Sequence, residues 1–221
     1  MAFETVKIAQ EGAGWGTIAA LANADGSATH RLLQTLVLGR TPTRMIADSV
    51  HLIGMLQGRQ PGIIDYAATR CIQPAAVAWL EEAAAAFAIE RGYLTRLTST
   101  AGPMPSTPGQ ADTETTVAAQ RHALDMLAQS DRNGCAIGAA VALIIDWMAI
   151  RVVLDSASER FGLTIPKCAL PDLQETTSMV GAIANAPGIE RAMAFGAQQI
   201  FAQHRGLWDL IEARASARGD I

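Results

Sequence analysis

The fold is decided by residues 133–162, which read NGCAIGAAVALIIDWMAIRVVLDSASERFG. From Cys135 to Leu154 this stretch is apolar on every side of a helix, a pattern typical of a helix at the centre of a domain. The carboxylate of Asp146 lies inside it, and a buried carboxylate is costly unless it is paired, protonated or coordinated. The face that it shares at helical spacing carries Cys135, Ala139, Ala142, Ala149, Ile150, Val153 and Ala157. These small residues predict either a closely packed neighbouring helix or space for a ligand.

Composition limits the classes of protein to which this chain can belong. Its 221 residues suit one domain, and 50% hydrophobic against 17% charged residues is enough to fill a substantial core. Abundant alanine and little β-branched alternation predict an all-α protein. Because the net charge is only −4 and no basic run occurs, we expect no nucleic-acid partner.

Cysteine usage and hydropathy bear on the compartment. The three cysteines lie far apart without a CxxC pair, which argues against a disulfide framework or zinc module and fits a reducing compartment. The N-terminal sequence lacks a cationic region followed by an apolar one, so no signal peptide is expected. Residues 134–154 are long enough to cross a bilayer, but Asp146 and Arg151 within them favour a core helix. We therefore predict a cytoplasmic protein without a membrane role.

Glycines, prolines and capping residues divide the chain into about eight helices of a single domain, residues 1–221. The predicted helices span roughly 27–39, 42–58, 62–71, 74–97, 113–129, 133–162, 172–184 and 189–217. Residues 1–25 are predicted as an N-terminal arm with a glycine hinge, and the proline-rich residues 99–112 as a surface loop. Short connections between long helices indicate a compact multi-helix bundle.

A resemblance to a known superfamily lies in the first two of these helices. Residues 30–56 read HRLLQTLVLGRTPTRMIADSVHLIGML, with His30 before an apolar helix, then Gly39, and Pro42 before a second helix. This order resembles the opening of haem-oxygenase-like helical proteins, the TenA/PqqC-like superfamily of thiaminase II and PQQ synthesis. The resemblance implies a haem-oxygenase-like fold. Because several members bind two irons through carboxylates and histidines, it also makes iron or manganese the cofactors to consider.

The thiaminase branch of that superfamily differs from this chain at its catalytic positions. Its members place an Asp and a Tyr late in the second helix, where this chain has Ile53 and Leu56. Their nucleophilic cysteine on the central helix falls near Ile145, whereas Cys135 lies about three turns earlier. The resemblance therefore implies the fold and argues against thiaminase chemistry.

Carboxylates and histidines on the predicted helices are the candidates for a metal site. A ferritin-type site needs an acidic-x-x-His motif on each of two helices, and here only Asp48 and His51 match, a pair that suits a surface ion pair. Glu90 and Asp146 are stronger candidates because both fall on apolar faces, and we expect both to be buried and to approach one another or a shared arginine. That arginine is expected to be Arg91, Arg151 or Arg160. The candidate metal ligands are Glu82, Glu90, Asp146 and His204, with His30, His51 and His122 as weaker ones.

Three functions are open at this point. The first is a protein that binds a small-molecule ligand or a metal between its long helices. The second is a metal-dependent oxidase of the di-iron type that uses Glu82, Glu90, Asp146 and one or two histidines. The third is a non-catalytic scaffold or interaction protein with a filled core. A homodimer is compatible with each, and no motif of a serine, cysteine or zinc hydrolase occurs.

Overall fold

Helices make up most of the chain in the computed structural model, which describes residues 13–38 and 41–221. The described residues form the α-helices α1 (Ala13–Asp25), α2 (Arg31–Val37), α3 (Thr43–Gln57), α4 (Ile63–Arg70), α5 (Pro74–Thr100), α6 (Gln110–Ala128), α7 (Cys135–Phe161), α8 (Leu173–Ile183) and α9 (Pro187–Ala217). A 3-10 turn at Ser27–Thr29 links α1 to α2, and these residues include no strand. The predicted all-α class and the compact bundle are confirmed.

Helix α1 occupies the second half of the segment that the sequence predicts as an arm, residues 1–25. It packs on α9, and its side chains Trp15 and Ile18 are buried in the core. Gly14 and Gly16 continue this helix, so the predicted hinge is wrong at these two positions. Burial of a tryptophan and an isoleucine stabilises the helix by more than the two glycines cost.

Other predicted boundaries need smaller corrections. Residues 1–12 and Gly39 lie outside the described residues. The predicted loop 99–112 is shorter in the structure, because α5 continues to Thr100 and α6 begins at Gln110. The loop is also pinned to α9, since the hydroxyl of Thr107 is buried and accepts a hydrogen bond from Arg218 at 2.6 Å.

Helices α5 and α7 run in the same direction. The rings of Phe87 and Trp147 meet edge to face with centroids 4.8 Å apart. Farther along both helices, the hydroxyl of Tyr93 lies 2.7 Å from Oγ of Ser158. Because both contacts advance together along the chain, the two helices are parallel, and α6 connects them in the sequence.

Helices α7 and α9 are parallel as well, and glycines allow them to approach closely near their starts. A Cβ on Gly138 would lie 2.1 Å from the carbonyl oxygen of Met193, and one on Gly196 would lie 2.1 Å from the carbonyl oxygen of the first residue of α7. No side chain fits at such distances, so both positions require glycine. Farther along, His204 bonds to Asp146. The two helices therefore begin at the same end of the bundle.

Helix α3 runs antiparallel to α9. Its last residue, Gln57, meets His204, whereas Asp48 near its start meets Arg214 close to the end of α9. The two ends of α3 consequently reach two separate polar clusters along one side of α9.

The central helix α7 is covered by protein. It is the one helix of the described residues that is long and apolar enough to cross a membrane by length and composition, with a mean hydropathy of 2.1 over its most apolar window. The bundle buries 83% of that window, and α1, α4, α5 and α9 all pack against the helix. The predicted central position of this stretch is therefore confirmed.

The close contact of α7 with α9 predicts that Gly138→Ala destabilises the protein by about 3 kcal/mol or more, because the new methyl group meets backbone that cannot move alone. Gly92→Ala is the matched control, since Gly92 also lies inside a long helix but has open space around it. That change should stabilise the protein by about 1 kcal/mol through helix propensity. Urea unfolding of both variants measures the difference, and equal effects would contradict the close packing.

Candidate functional site

The seven candidate metal ligands are spread over the structure and do not converge on one site. Asp146 and His204 are the one pair among them that bond to each other. His51 is half-buried, and Glu82 and His122 are exposed, so the last two face away from the core. Glu82 stands outside the buried side of α5, because the helix turns it away from Trp79 and Ala83. The four buried candidates are Glu90, Asp146, His204 and His30.

The carboxylate of Asp146 is the centre of a buried network that joins α7, α9 and the 3-10 turn. Its Oδ1 accepts a hydrogen bond from the backbone N–H of Ser27 at 2.7 Å, and its Oδ2 accepts one from the Ser27 hydroxyl at 2.5 Å. Nδ1 of His204 lies 2.6 Å from the same Oδ2, and the indole N–H of Trp208 donates to Oγ of Ser27 at 2.8 Å. None of these four side chains is more than 3% exposed. The network is therefore fully enclosed by protein.

Both ring nitrogens of His204 have partners. Nδ1 faces a carboxylate, which only accepts, so Nδ1 carries a proton and donates it. Nε2 lies 2.9 Å from the amide nitrogen of Gln57 and accepts from it when the imidazole is neutral. A carboxylate on Nδ1 commonly orients a histidine for base or metal chemistry at Nε2. Here Gln57 occupies that position, so such chemistry requires this hydrogen bond to break.

Ser27 does not complete a catalytic triad with these groups. A nucleophilic serine bonds to the histidine, whereas the hydroxyl of Ser27 bonds to Asp146. Local sequence explains its position, because a Cβ on the preceding Gly26 would lie 2.4 Å from the carbonyl oxygen of Ala22. Glycine there lets the chain turn tightly out of α1, so Ser27 reaches the carboxylate with both its N–H and its hydroxyl.

Glu90 belongs to a second buried network, on the side of α7 that faces α5. Its Oε1 pairs with Arg151 at 2.5 Å, and its Oε2 accepts from the indole N–H of Trp147 at 3.0 Å. The same guanidinium donates to Asp155 at 2.7 Å and to the carbonyl of Pro166 at 2.5 Å. Burial lowers the pKa of Arg151, but the hydrogen bond to Asp155 and the charge of Glu90 outweigh it and raise that pKa overall. The cluster therefore joins one guanidinium to two carboxylates, the buried Glu90 and the partly exposed Asp155.

The expectation that Glu90 and Asp146 are buried is confirmed, but the expectation that they share a partner is wrong. Glu90 pairs with Arg151, one of the predicted arginines, whereas Asp146 pairs with His204. The reason is angular, because Asp146 and Arg151 are not spaced three or four positions apart on α7 and so point to different faces.

Tyr93 closes the Arg151 network from α5. Its hydroxyl lies 2.7 Å from Oγ of Ser158, 2.9 Å from Asp155 and 3.1 Å from the carbonyl oxygen of Leu154. The guanidinium of Arg151 lies 4.7 Å from the centre of its ring. Burial raises the pKa of Tyr93 to about 12, and the nearby charge of Asp155 acts in the same direction. The phenol is therefore held neutral, as a structural hydrogen-bonding group.

Asp48 and His51 do not form the surface ion pair that their spacing predicts. Asp48 is fully buried, with one oxygen 3.0 Å from Arg214 and the other 2.5 Å from Arg218. His51 instead donates from Nε2 to the carbonyl of Gly102 at 2.8 Å. The last turns of α9 bring two cations to Asp48, and this double charge outweighs one histidine on the same helix. Asp48 therefore ties α3 to the end of α9.

One group of three candidate ligands occurs in the described residues, where atoms of His30, Asp209 and Glu212 lie within 4.8 Å of one another. Nε2 of His30 lies 3.0 Å from Asp209, and its Nδ1 accepts from the backbone N–H of Leu32 at 3.2 Å as the N-cap of α2. Because Nδ1 accepts, the proton of the neutral ring is on Nε2 and leaves no lone pair for an ion. Asp209 is also 64% exposed. This group suits a helix cap with a surface hydrogen bond.

Sequence reasoning misses most partners of the buried groups. Ser27, Gln57 and Arg214 are ordinary polar residues in the sequence, and their partners lie 119 or more positions away. The one available signal is the spacing of His204 and Trp208, which places two polar-tipped side chains on one face of an apolar helix. No local pattern indicates which residue each of them meets.

Comparison with known proteins adds a family and no activity. Residues 22–219 match a family of unknown function (DUF6975). That span contains α2 to α9 and all members of the Asp146 and Glu90 networks. No curated protein and no solved structure matches the chain.

The Asp146 network predicts that Asp146→Asn lowers the free energy of unfolding by about 2–3 kcal/mol, since an amide presents N–H groups to donors that need an acceptor. Asp209→Asn is the matched control, because Asp209 also faces a histidine nitrogen but is largely exposed. Its effect should stay below about 1 kcal/mol. Urea unfolding measures both, and an Asp146→Asn variant as stable as the parent would contradict a carboxylate whose oxygens accept from three donors.

Tyr93 is expected to ionise well above an ordinary tyrosine. The chain has two tyrosines, so the variant Tyr66→Phe leaves Tyr93 alone. The tyrosinate absorbance of this folded variant should rise with a midpoint at pH about 12. Because this folded-state pKa lies above the ordinary tyrosine pKa of 10.0, the neutral phenol stabilises the fold below pH 10, and that contribution is lost between pH 10 and pH 12. A midpoint near pH 10 with the helical circular dichroism intact would contradict the burial argument.

Proposed function

We propose that this chain, which belongs to the DUF6975 family of unknown function, is a non-catalytic scaffold protein that recognises its partner at the surface. The observation that carries the proposal is the Asp146 network. Asp146 and His204, the two candidate ligands that meet, bond to each other and to Ser27 and Gln57 in a fully enclosed position. A catalytic base or metal ligand needs an open bonding position and a route to it. The network offers neither in this arrangement.

The Glu90 network supports the same interpretation. Coordination of a metal by Glu90 would take a carboxylate away from the buried guanidinium of Arg151. Arg151 would keep Asp155 and the carbonyl of Pro166, but it would lose its one fully buried carboxylate partner, which is unfavourable inside the bundle. The Trp147 indole would lose its acceptor as well. Both candidate carboxylates therefore fit a role in holding helices together.

The rival proposal is a haem-oxygenase-like protein that binds a small ligand or metal, including the metal-dependent oxidase. Its support is the two-helix opening, in which His30 caps α2 and Pro42 precedes α3. The one specific metal candidate is the group of His30, Asp209 and Glu212. Binding there would need the proton on Nδ1 of His30, which would break the cap on α2. A cytoplasmic location and a homodimer are compatible with either proposal.

Metal content of the purified protein separates the two proposals. Protein prepared without chelator is incubated anaerobically with Fe(II) or Mn(II) and desalted. Its bound metal per chain is then measured by elemental mass spectrometry. The scaffold proposal expects less than about a tenth of an equivalent and no rise in melting temperature with added metal. About one or two equivalents of bound metal would overturn it in favour of the metal protein. Asp146→Asn should lose the metal if the site is in the interior, and Asp209→Asn should lose it if the site is the surface group.

A further inference from the structure

A surface cleft lies where the starts of α7 and α9 come together, away from the buried networks. Its volume is about 550 Å³, which is in the range of small-molecule binding pockets. Two arginines, Arg132 and Arg191, line it together with Asn133 and the first turn of α9. The cleft therefore combines an open shape with two positive charges.

The two arginines have no acidic partner within residues 13–38 and 41–221, and both are exposed. The guanidinium of Arg132 lies 5.4 Å from the centre of the Phe195 ring, which is itself 41% exposed. This contact positions Arg132 without neutralising it. Elsewhere in the described chain, buried arginines are paired with carboxylates, as Arg151 is with Glu90. The charge of the cleft is thus available to a ligand.

Two acidic residues next to the cleft in the sequence are not among the residues that line it. Asp131 precedes Arg132 in the chain, but it pairs with Arg70 at 3.1 Å. Glu190 lies in the first turn of α9, and its Cγ lies 3.7 Å from where a Cβ on Gly14 of α1 would stand. Neither carboxylate lines the cleft. The cleft therefore keeps its positive charge.

Close packing fixes the floor of the cleft. Gly134, at a φ of 93° that favours glycine, ends the turn before α7. A Cβ there would lie 3.0 Å from Cγ2 of Ile189 and 3.1 Å from Cγ of Met193. Together with the contact at Gly138, this packing holds the two helix starts in one arrangement. A preformed site loses less entropy on binding than a mobile one.

We infer that this cleft binds an anionic group with paired oxygen acceptors, a phosphate or a carboxylate, between Arg132 and Arg191. The planar guanidinium donates two parallel hydrogen bonds to either group. The inference rests on the proposed function, since it assigns the chemistry of what the surface recognises.

Calorimetric titration of the full chain with inorganic pyrophosphate, and separately with citrate, tests this inference at low ionic strength, where surface charges are little screened. We expect one site per chain for at least one of the anions. Arg132→Gln and Arg191→Gln should each weaken binding by about tenfold or more, through loss of charged hydrogen bonds. Arg205→Gln is the matched control, because it removes an exposed charge from α9 outside the cleft and should bind like the parent.

The outcomes are distinct. Binding of pyrophosphate alone assigns a phosphate group, binding of citrate alone assigns a carboxylate, and binding of both supports the shared chemistry. No binding of either anion at millimolar concentration overturns the inference, and so does equal weakening by Arg205→Gln. Unchanged melting temperatures confirm that the variants fold. These failures differ from failure of the scaffold proposal, which is detected as bound metal.

Discussion

The bonding of the Asp146 carboxylate sets the arrangement of four parts of the chain. A carboxyl group inside an apolar helix would be strongly destabilising without partners, and it is tolerated because three donors converge on it. These donors come from Ser27 after α1 and from His204 on α9, and Gln57 extends the network to the end of α3. An alternative packing of any of these segments would leave the carboxylate or the imidazole without a partner. The network therefore selects one packing among the many that an apolar, alanine-rich helix allows.

Glycine contacts and a second network complete the support of α7. Gly138 and Gly196 let α9 approach until backbone meets backbone, and this closeness brings His204 within hydrogen-bonding distance of Asp146. Towards α5 the contact is made by long side chains instead, because Glu90 and Arg151 bridge the two helices. The central helix thus uses small residues towards one neighbour and a buried ion pair towards the other. Both arrangements resist sliding of the helices, because a shift in register separates the matched groups.

This use of buried charge bears directly on function. In the described residues, the polar groups that the sequence indicates as ligands inside the bundle hold helices together. Free charge is found instead at the surface, where Arg132 and Arg191 stand beside a rigid cleft. We propose on this basis that the protein binds at its surface rather than performing chemistry in its core. The proposals of a scaffold and of an anion site both follow from this contrast between bonded buried groups and unpaired arginines at the surface.

Local sequence was sufficient to establish the all-α class, the central position of residues 133–162 and the burial of Glu90 and Asp146, because helical periodicity and apolar content are properties of neighbouring residues. It was insufficient to predict the helix α1. Glycines lower the helix propensity of this segment, but burial of Trp15 against helices distant in sequence stabilises the helix by more. It was also insufficient for the site. Several arginines could have matched Asp146, and His204 does so because the contact of α7 with α9 brings these two residues together from 58 positions apart. Partner identity over such separations is a property of packing, and no local pattern encodes it.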